Sequence, residues 1–149
     1  MKAKYKHTNI VARDWRKLAE FYQAVFGCVL VPPARDLSGE WLEKGTGVSG
    51  ARFEGAHLRL PGYGTDGPTL EIYQYSSSEL RSPAAANREG IMHLAFEVDD
   101  VERAANEVLV NGGGKLGDIV TSKVDGVGVL TFVYLTDPEG NILELQSWE

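Results

Sequence analysis

Two histidines and two glutamates occupy matching places in the two halves of this sequence. His7 and His93 each open a strand-like stretch, and Glu71 and Glu144 each lie in a later strand-like stretch of the same half. Imidazole nitrogens and carboxylate oxygens are donors that borderline and hard divalent ions accept. We therefore predict that these four residues bind one divalent ion, with Zn²⁺, Ni²⁺, Co²⁺, Mn²⁺ and Fe²⁺ as the candidates.

The alternative is that these residues are ordinary strand residues. A single strand histidine is usually hydrogen-bonded or half-exposed, and a single outward glutamate is usually just solvated. The chain has three histidines, and two of them stand in repeat-equivalent positions, each with its own equivalent glutamate. This doubling favours a metal site. His57, the third histidine, has no such counterpart, and we expect it to be structural or else a substrate contact.

The elements that would position these residues are also repeated. Each copy has a strand pattern, an aspartate suited to cap a helix, an amphipathic helix pattern, a glycine stop and then β-rich sequence. Each copy therefore reads as β-α-β-β-β. The positions that align between the copies are His7 with His93, Asp14 with Asp100, and Gly27 with Gly113.

Strand alternation places the four polar residues on one side of each sheet. Each of them points away from its aliphatic neighbours, which would pack on the helix of the same copy. Edge-to-edge pairing of the copies would bring the four together. The predicted fold is α+β, with two βαβββ modules pairing into a curved, barrel-like mixed sheet and the helices outside.

The chain is expected to be one domain, residues 1–149. Module 1 would span 4–77, a Ser-, Ala- and Pro-containing linker 78–90, and module 2 91–149. Module 1 alone contains a long excursion, 32–56, which has two possible interpretations.

That excursion is either a lid over the site or a surface insertion. The segment from Ser38 to Lys44 predicts a short capped helix, followed by Gly45. In the second reading, Trp41 of this helix is packed on the core.

Composition bounds the function further. A chain of 149 residues with 43% hydrophobic content suits one globular domain. The net charge of −6 argues against a surface for nucleic acid or an anionic membrane, because both would need a basic face. Cys28, the single cysteine, has no internal disulfide partner and lies among apolar residues, so a buried, inert thiol is expected. No stretch is apolar for long enough to span a membrane, and we expect a soluble cytoplasmic protein.

Three motifs together resemble the vicinal oxygen chelate superfamily, also called the glyoxalase/bleomycin-resistance/dioxygenase superfamily. The resemblance covers essentially the whole chain and implies the fold given above. The motifs are His7-Thr8-Asn9-Ile10 leading to Phe21-Tyr22 and Phe26-Gly27, His93-Leu94-Ala95-Phe96-Glu97-Val98-Asp99-Asp100, and Asp137-Pro138-Glu139-Gly140-Asn141 leading to Leu143-Glu144-Leu145.

Within the superfamily the chain looks closest to glyoxalase I. The resemblance places His7, Glu71, His93 and Glu144 on the four metal ligands of that enzyme. Methylmalonyl-CoA epimerases commonly have glutamine at the position of Glu71, and extradiol dioxygenases have no ligand there. Antibiotic-binding members generally lose the ligands, whereas this chain keeps all four.

The resemblance implies a metal-dependent lyase or isomerase, similar to lactoylglutathione lyase, acting on a small oxygen-bearing substrate. The metal would act as a Lewis acid on a developing enediolate, and Glu144, or otherwise Glu71, would transfer the proton. The alternatives are an acyl-CoA epimerase, and a non-catalytic protein that sequesters a drug or metabolite. A homodimer is expected by the same analogy. No set of basic residues for the carboxylates of glutathione is evident, and the candidates are Arg13, Arg35, Arg52, Arg59 and Arg88.

Overall fold

Each half of the chain folds around its own open mixed sheet. The computed structural model describes all residues, 1–149, and they divide into two compact units, Met1–Leu80 and Arg81–Glu149. Each unit packs a long helix on its sheet, which confirms the predicted α+β class built from two related modules. None of the helices is long and apolar enough to cross a membrane.

The first unit contains a four-stranded sheet in the order β1-β4-β3-β2. Strands β1 and β4 are parallel, and the other two pairs are antiparallel. Its elements are β1 (His7–Val11), α1 (Trp15–Phe26), β2 (Val29–Ser38), α2 (Glu40–Thr46), β3 (Arg52–Arg59) and β4 (Thr69–Tyr75).

The second unit repeats this plan with one more strand. Its sheet runs β5-β9-β8-β6, with β7 also paired to β8, and only β5 and β9 are parallel. The two short strands β6 and β7 stand where the first unit has the long β2. The elements are β5 (His93–Glu97), α3 (Val101–Val110), β6 (Gly114–Lys115), β7 (Val120–Val124), β8 (Gly128–Thr136) and β9 (Ile142–Trp148).

The predicted helix starts are present in both units. The Asp14 side chain accepts a hydrogen bond from the Lys17 amide, and the Asp100 side chain accepts one from the Arg103 amide. These carboxylates satisfy amide groups that the first helical turn leaves free, which is worth about 1 kcal/mol each. Helix α1 ends at Gly27, whose φ of 66° is left-handed as predicted.

Burial of alternate residues fixes which face of each sheet carries the glutamates. Leu70 and Ile72 flank Glu71 and are 1% and 0% exposed, and Leu143 and Leu145, which flank Glu144, are both 0% exposed. Each such side chain contributes about 1.5–3 kcal/mol by burial. A slip of one residue in either strand would turn these aliphatic side chains outward and the glutamate inward. Burial of the flanking aliphatic side chains therefore fixes the face of the sheet on which each carboxylate lies.

The excursion of the first unit is part of the sheet and its packing. It supplies most of β2, the helix α2 and the start of β3. The predicted short helix forms, but it spans Glu40–Thr46 with Gly39 as its N-cap, and it continues through Gly45 to end at Gly47. Of the two alternatives for this excursion, the one in which Trp41 packs on the core is wrong, because Trp41 is 61% exposed and Leu42 is buried instead. Leu42 lies in a small cluster whose other members are Ala51, Phe53, Leu37, Tyr73 and Tyr75.

The turn between β8 and β9 depends on a buried carboxylate. Asp137 accepts hydrogen bonds from the amides of Glu139 and Asn141, both at 2.9 Å, and from the Asn141 side-chain amide at 2.6 Å. We expect Asp137→Ala to lower the free energy of unfolding by about 2–3 kcal/mol, because buried donors lose their acceptor. Urea denaturation measures the change. Asp125→Ala, at an exposed turn position of the same unit, should change it by less than about 0.5 kcal/mol. Equal effects of the two substitutions would contradict this account.

Candidate metal centre

In the first unit, His7 and Glu71 lie on neighbouring parallel strands. The register pairs His7 with Thr69 and Asn9 with Glu71, so the two side chains are diagonal neighbours on one face. His7 Nδ1 is 3.3 Å from Glu71 Oε1. Glu71 is one of two buried charged residues in the chain, at 8% exposure. A carboxylate this buried needs partners of opposite charge or hydrogen-bond donors.

The second unit repeats the same arrangement. Its register pairs His93 with Ile142 and Ala95 with Glu144, which again makes the histidine and the glutamate diagonal neighbours. His93 Nε2 is 2.9 Å from Glu144 Oε2. The other ring nitrogen, Nδ1, is buried without a hydrogen-bond partner. Nε2 is therefore the ring nitrogen that could bind an ion together with the Glu144 carboxylate.

The spacing within each pair fits two donors to one ion. Metal–donor distances of about 2.0–2.2 Å place neighbouring ligand atoms about 3 Å apart in an octahedral shell. The separations in the two pairs, 3.3 Å and 2.9 Å, match this value. No group of three or more His, Cys, Asp or Glu side chains is arranged to hold a metal ion. The structure thus presents the four sequence-predicted donors as two pairs, one in each unit.

His57, which the sequence predicted to be structural or else a substrate contact, lies beside the first pair. It lies on β3 directly opposite Glu71, and its Nδ1 is 3.4 Å from Glu71 Oε1. Its Nε2 is 2.6 Å from the Tyr73 hydroxyl, which donates to Glu71 Oε2 at 2.8 Å. Strand alternation places Glu71 and Tyr73 on one face. The position of His57 opposite them depends on the β3–β4 register, which the sequence pattern did not give.

The ionisation of these groups is governed by burial and by one another. Burial is the main cause that lowers the pKa of His57; Arg35 and His7 act in the same direction, and the Glu71 charge opposes them. Burial also raises the pKa of Tyr73, and its hydrogen bond to Glu71 and the charge of that carboxylate add to the shift. At neutral pH the imidazole of His57 is neutral, and the Tyr73 hydroxyl keeps its proton and can donate it to Glu71.

The surroundings of Glu144 are different. The residue opposite it on β8 is Tyr134, whose ring lies 5.2 Å from the His93 ring, centroid to centroid. Burial and the Glu144 charge raise the pKa of Tyr134. Gln146 stands at the position equivalent to Tyr73, and its side-chain oxygen accepts from Trp148 at 3.2 Å. Neither Tyr134 nor Gln146 donates a hydrogen bond to Glu144.

Arg35 is the candidate arginine that lies beside the first pair. Its Nη2 is 3.4 Å from His57 Nδ1, and its Nη1 donates to the Pro33 carbonyl. Arg52, by contrast, forms an exposed ion pair with Asp36. Cys28 is buried as predicted, and its burial raises the pKa of the thiol to about 11, which disfavours the reactive thiolate at neutral pH.

These features define the class of protein: an α+β chain of two related modules, each presenting one histidine–glutamate pair on the face of its sheet opposite the core. The chain belongs to the Glyoxalase/Bleomycin resistance protein/Dioxygenase superfamily, whose family model matches residues 4–145. This confirms the resemblance read from the sequence motifs.

Solved structures show the same fold at low sequence identity. A glyoxalase family protein from Bacillus cereus is 17% identical with a TM-score of 0.82, covering 99% of this chain and 95% of that one. A glyoxalase/bleomycin resistance protein/dioxygenase family enzyme from Burkholderia phytofirmans PsJN is 18% identical with a TM-score of 0.59, covering 99% and 100%. The fosfomycin resistance protein FosX from Listeria monocytogenes is 15% identical with a TM-score of 0.60, covering 100% and 96%. No curated protein is significantly similar in sequence.

Proposed function

We propose that this protein is a divalent-metal-dependent lyase or isomerase of the glyoxalase I type that acts on a small oxygen-bearing substrate. The observation that supports the proposal is the diagonal histidine–glutamate pair that both units repeat at ligand-to-ligand spacing. A pair of this kind occurring once would be an ordinary strand contact. Its recurrence at equivalent register positions is what a two-module metal centre requires.

In this proposal, the two pairs together bind one ion. His7 and Glu71 hold it from the first unit, and His93 and Glu144 from the second. When bound, the ion supplies Lewis-acid polarisation of two vicinal substrate oxygens, or of one carbonyl oxygen through water. Nickel, cobalt or a five-coordinate zinc suits the role, because four protein ligands fill a tetrahedral shell.

Glu144 is proposed as the base. It would remove a proton from a carbon next to an oxygen-bearing carbon and return it to the neighbouring carbon, so that the substrate is rearranged without a change of oxidation state. Its carboxylate is held by His93 alone among the described contacts, whereas Glu71 is also bound by a hydroxyl. This difference favours Glu144 over Glu71 as the carboxylate that is free to move and transfer the proton.

The proposal includes a cytoplasmic homodimer with a small-molecule substrate. The net charge of −6 argues against a nucleic-acid partner. The two modules that share an ion would belong to one chain or to two chains of the dimer. Sedimentation of the metal-loaded and metal-free protein measures the oligomeric state.

Elemental analysis of the purified protein, before and after chelation and reconstitution, tests the metal centre. We expect about one divalent ion per chain, because the donor set has four ligands. A Glu71→Ala/His93→Ala double variant removes one ligand from each pair and should retain less than about a tenth of that content. The matched control is Glu20→Ala/Glu107→Ala, which removes one exposed helix carboxylate from each unit and should keep the ion.

The result decides between two classes of protein. Metal in the native protein and the control, but not in the double variant, supports the enzyme and directs screening to 2-oxoaldehyde–thiol adducts and acyl-CoA epimers. If no preparation takes up metal on reconstitution, the proposal is wrong, and the chain is better described as a protein that sequesters a drug or metabolite.

A further inference from the structure

A continuous line of side chains crosses the first sheet and ends on Glu71. We name it the Glu71 chain; its members are Arg35 on β2, His57 on β3, and Tyr73 and Glu71 on β4. The successive contacts are 3.4 Å from Arg35 to His57, 2.6 Å from His57 to Tyr73 and 2.8 Å from Tyr73 to Glu71. The last two are short enough to be strong hydrogen bonds.

The direction of the hydrogen bonds follows from the donor inventory. His57 Nδ1 lies 3.4 Å from Arg35 Nη2, which can only donate, and 3.4 Å from Glu71 Oε1, which can only accept. The Tyr73 hydroxyl donates its one hydrogen to Glu71 Oε2, so His57 Nε2 must be the donor to that hydroxyl, and Nδ1 accepts from Arg35. The neutral imidazole then carries its hydrogen on Nε2 and donates it to the Tyr73 hydroxyl oxygen. The hydroxyl hydrogen is left for Glu71 Oε2, which can only accept. Every link thus has one donor and one acceptor, and the chain runs toward the carboxylate.

Gly55 allows the Tyr73 ring to take part in this chain. It lies opposite Tyr73 in the register, and a Cβ built on it would be 2.5 Å from Tyr73 Cδ1. The ring therefore lies over bare backbone, where Phe53 stacks on it with centroids 4.2 Å apart and planes at 19°. Because Phe53 belongs to the Leu42 cluster, the excursion found only in the first module supports this ring.

The second unit lacks the residues that form this hydrogen-bond chain. Its positions equivalent to Gly55, His57 and Tyr73 are occupied by Phe132, Tyr134 and Gln146. Phe132 packs against the Tyr134 ring at 5.5 Å, where the first unit has a glycine. Glu144 consequently has its imidazole partner but no hydroxyl donor. The two carboxylates occupy equivalent positions in the sequence repeat, but their surroundings differ.

We infer that Tyr73 and His57 are positioning residues that lock Glu71 Oε2 and so present Oε1, beside His7, as a fixed ligand atom. Glu144, without such a lock, is the carboxylate that can leave the ion and move. The role toward an ion rests on the proposed function; the hydrogen-bond chain itself does not. Hydrogen-bonded partners of metal ligands typically contribute 10–100-fold to metal affinity.

Cobalt binding to the full-length protein tests the inference without a turnover assay. Tyr73→Phe keeps the ring and its stacking on Phe53 but removes the hydroxyl. We expect Co²⁺ affinity, measured by chelator competition, to fall 10–100-fold and the visible absorption bands of bound Co²⁺ to shift. The matched control is Tyr75→Phe, on the same strand and packed on the same Phe53, whose hydroxyl is not a member of the Glu71 chain. It should leave both readouts within about twofold of the native protein.

A second arm uses the metal-free protein. Nitrogen-15 NMR of the histidines should show His57 as the neutral Nε2–H tautomer, and this signal should change in Tyr73→Phe and in Glu71→Gln but not in Tyr75→Phe. A His57 that averages its two tautomers, or one unaffected by loss of the Tyr73 hydroxyl, overturns the inference.

The two arms separate the two hypotheses. If native protein takes up no Co²⁺ but the His57 signal responds as expected, the proposed metal-dependent function fails and the positioning of Glu71 stands. If Co²⁺ binds equally well, with the same spectrum, to native protein and to Tyr73→Phe, the positioning role fails and the metal centre stands.

Discussion

Replacing Glu144 with alanine is expected to abolish turnover while leaving the protein folded. The side chain is both a proposed ligand and the proposed base, and general-base catalysis alone accounts for 10²–10⁴-fold in rate. Removal of a carboxylate from a face opposite the core should leave Leu143 and Leu145 packed, so the fold survives. The measurement is kcat on whichever 2-oxoaldehyde–thiol adduct or acyl-CoA epimer the native protein converts, with circular dichroism as the check on folding.

Glu144→Gln separates the two roles of this residue. The amide oxygen can still bind an ion, but the amide cannot accept the substrate proton, so metal content should be largely kept while kcat falls at least 100-fold. Glu107→Ala, an exposed helix carboxylate of the same unit, is the control and should keep native kcat. Full activity in Glu144→Ala would rule out the assigned role, whatever the metal content.

Gly55→Ala is expected to be the most damaging small substitution in the first unit. The added Cβ would lie 2.1 Å from the Ile72 carbonyl oxygen and 2.5 Å from Tyr73 Cδ1. A carbonyl within the β3–β4 ladder cannot move without breaking strand hydrogen bonds, and the ring cannot move without leaving Phe53. We expect the free energy of unfolding to fall by about 3 kcal/mol or more. Urea denaturation measures this loss.

The control for Gly55 is another glycine without special backbone geometry. Gly45 lies in α2, and a Cβ there would meet nothing within 4 Å. Gly45→Ala should therefore stabilise the protein by about 0.5–1 kcal/mol, since alanine favours the helix and restricts the unfolded chain. If the two substitutions have the same sign and size, the close approach of Tyr73 to β3 is not what the structure indicates.

The two glutamates occupy equivalent positions in the two modules but have different neighbours. In the proposed mechanism, each module supplies one carboxylate, and moving only one of them requires the two carboxylates to have different surroundings. In this chain the inequality lies in the residues across the strand from each glutamate: His57 faces Glu71, and Tyr134 faces Glu144. Under the proposed function, this difference leaves the four donors unchanged and alters how freely each of them would move.

The sequence by itself determined the class of fold and the two halves of the candidate site. Periods of 2 and 3.6 residues are local, so strand faces, both capped helices and the turn at Asp137 could be read from short windows. The same alternation placed each histidine and glutamate opposite the core. That the two pairs bind one ion stays a prediction.

Only the tertiary structure decided what surrounds Glu71. His57 lies opposite Glu71 because of the register in which β3 pairs with β4 across a long glycine-rich turn. This register depends on the conformation of the whole turn and on the packing of both strands, so a short sequence window does not specify it. The same holds for the burial of Leu42 rather than Trp41, because two adjacent helix residues differ only in which of them meets the sheet. The sequence specifies the type of each side chain, but the residues that surround Glu71 are brought together by non-local strand pairing.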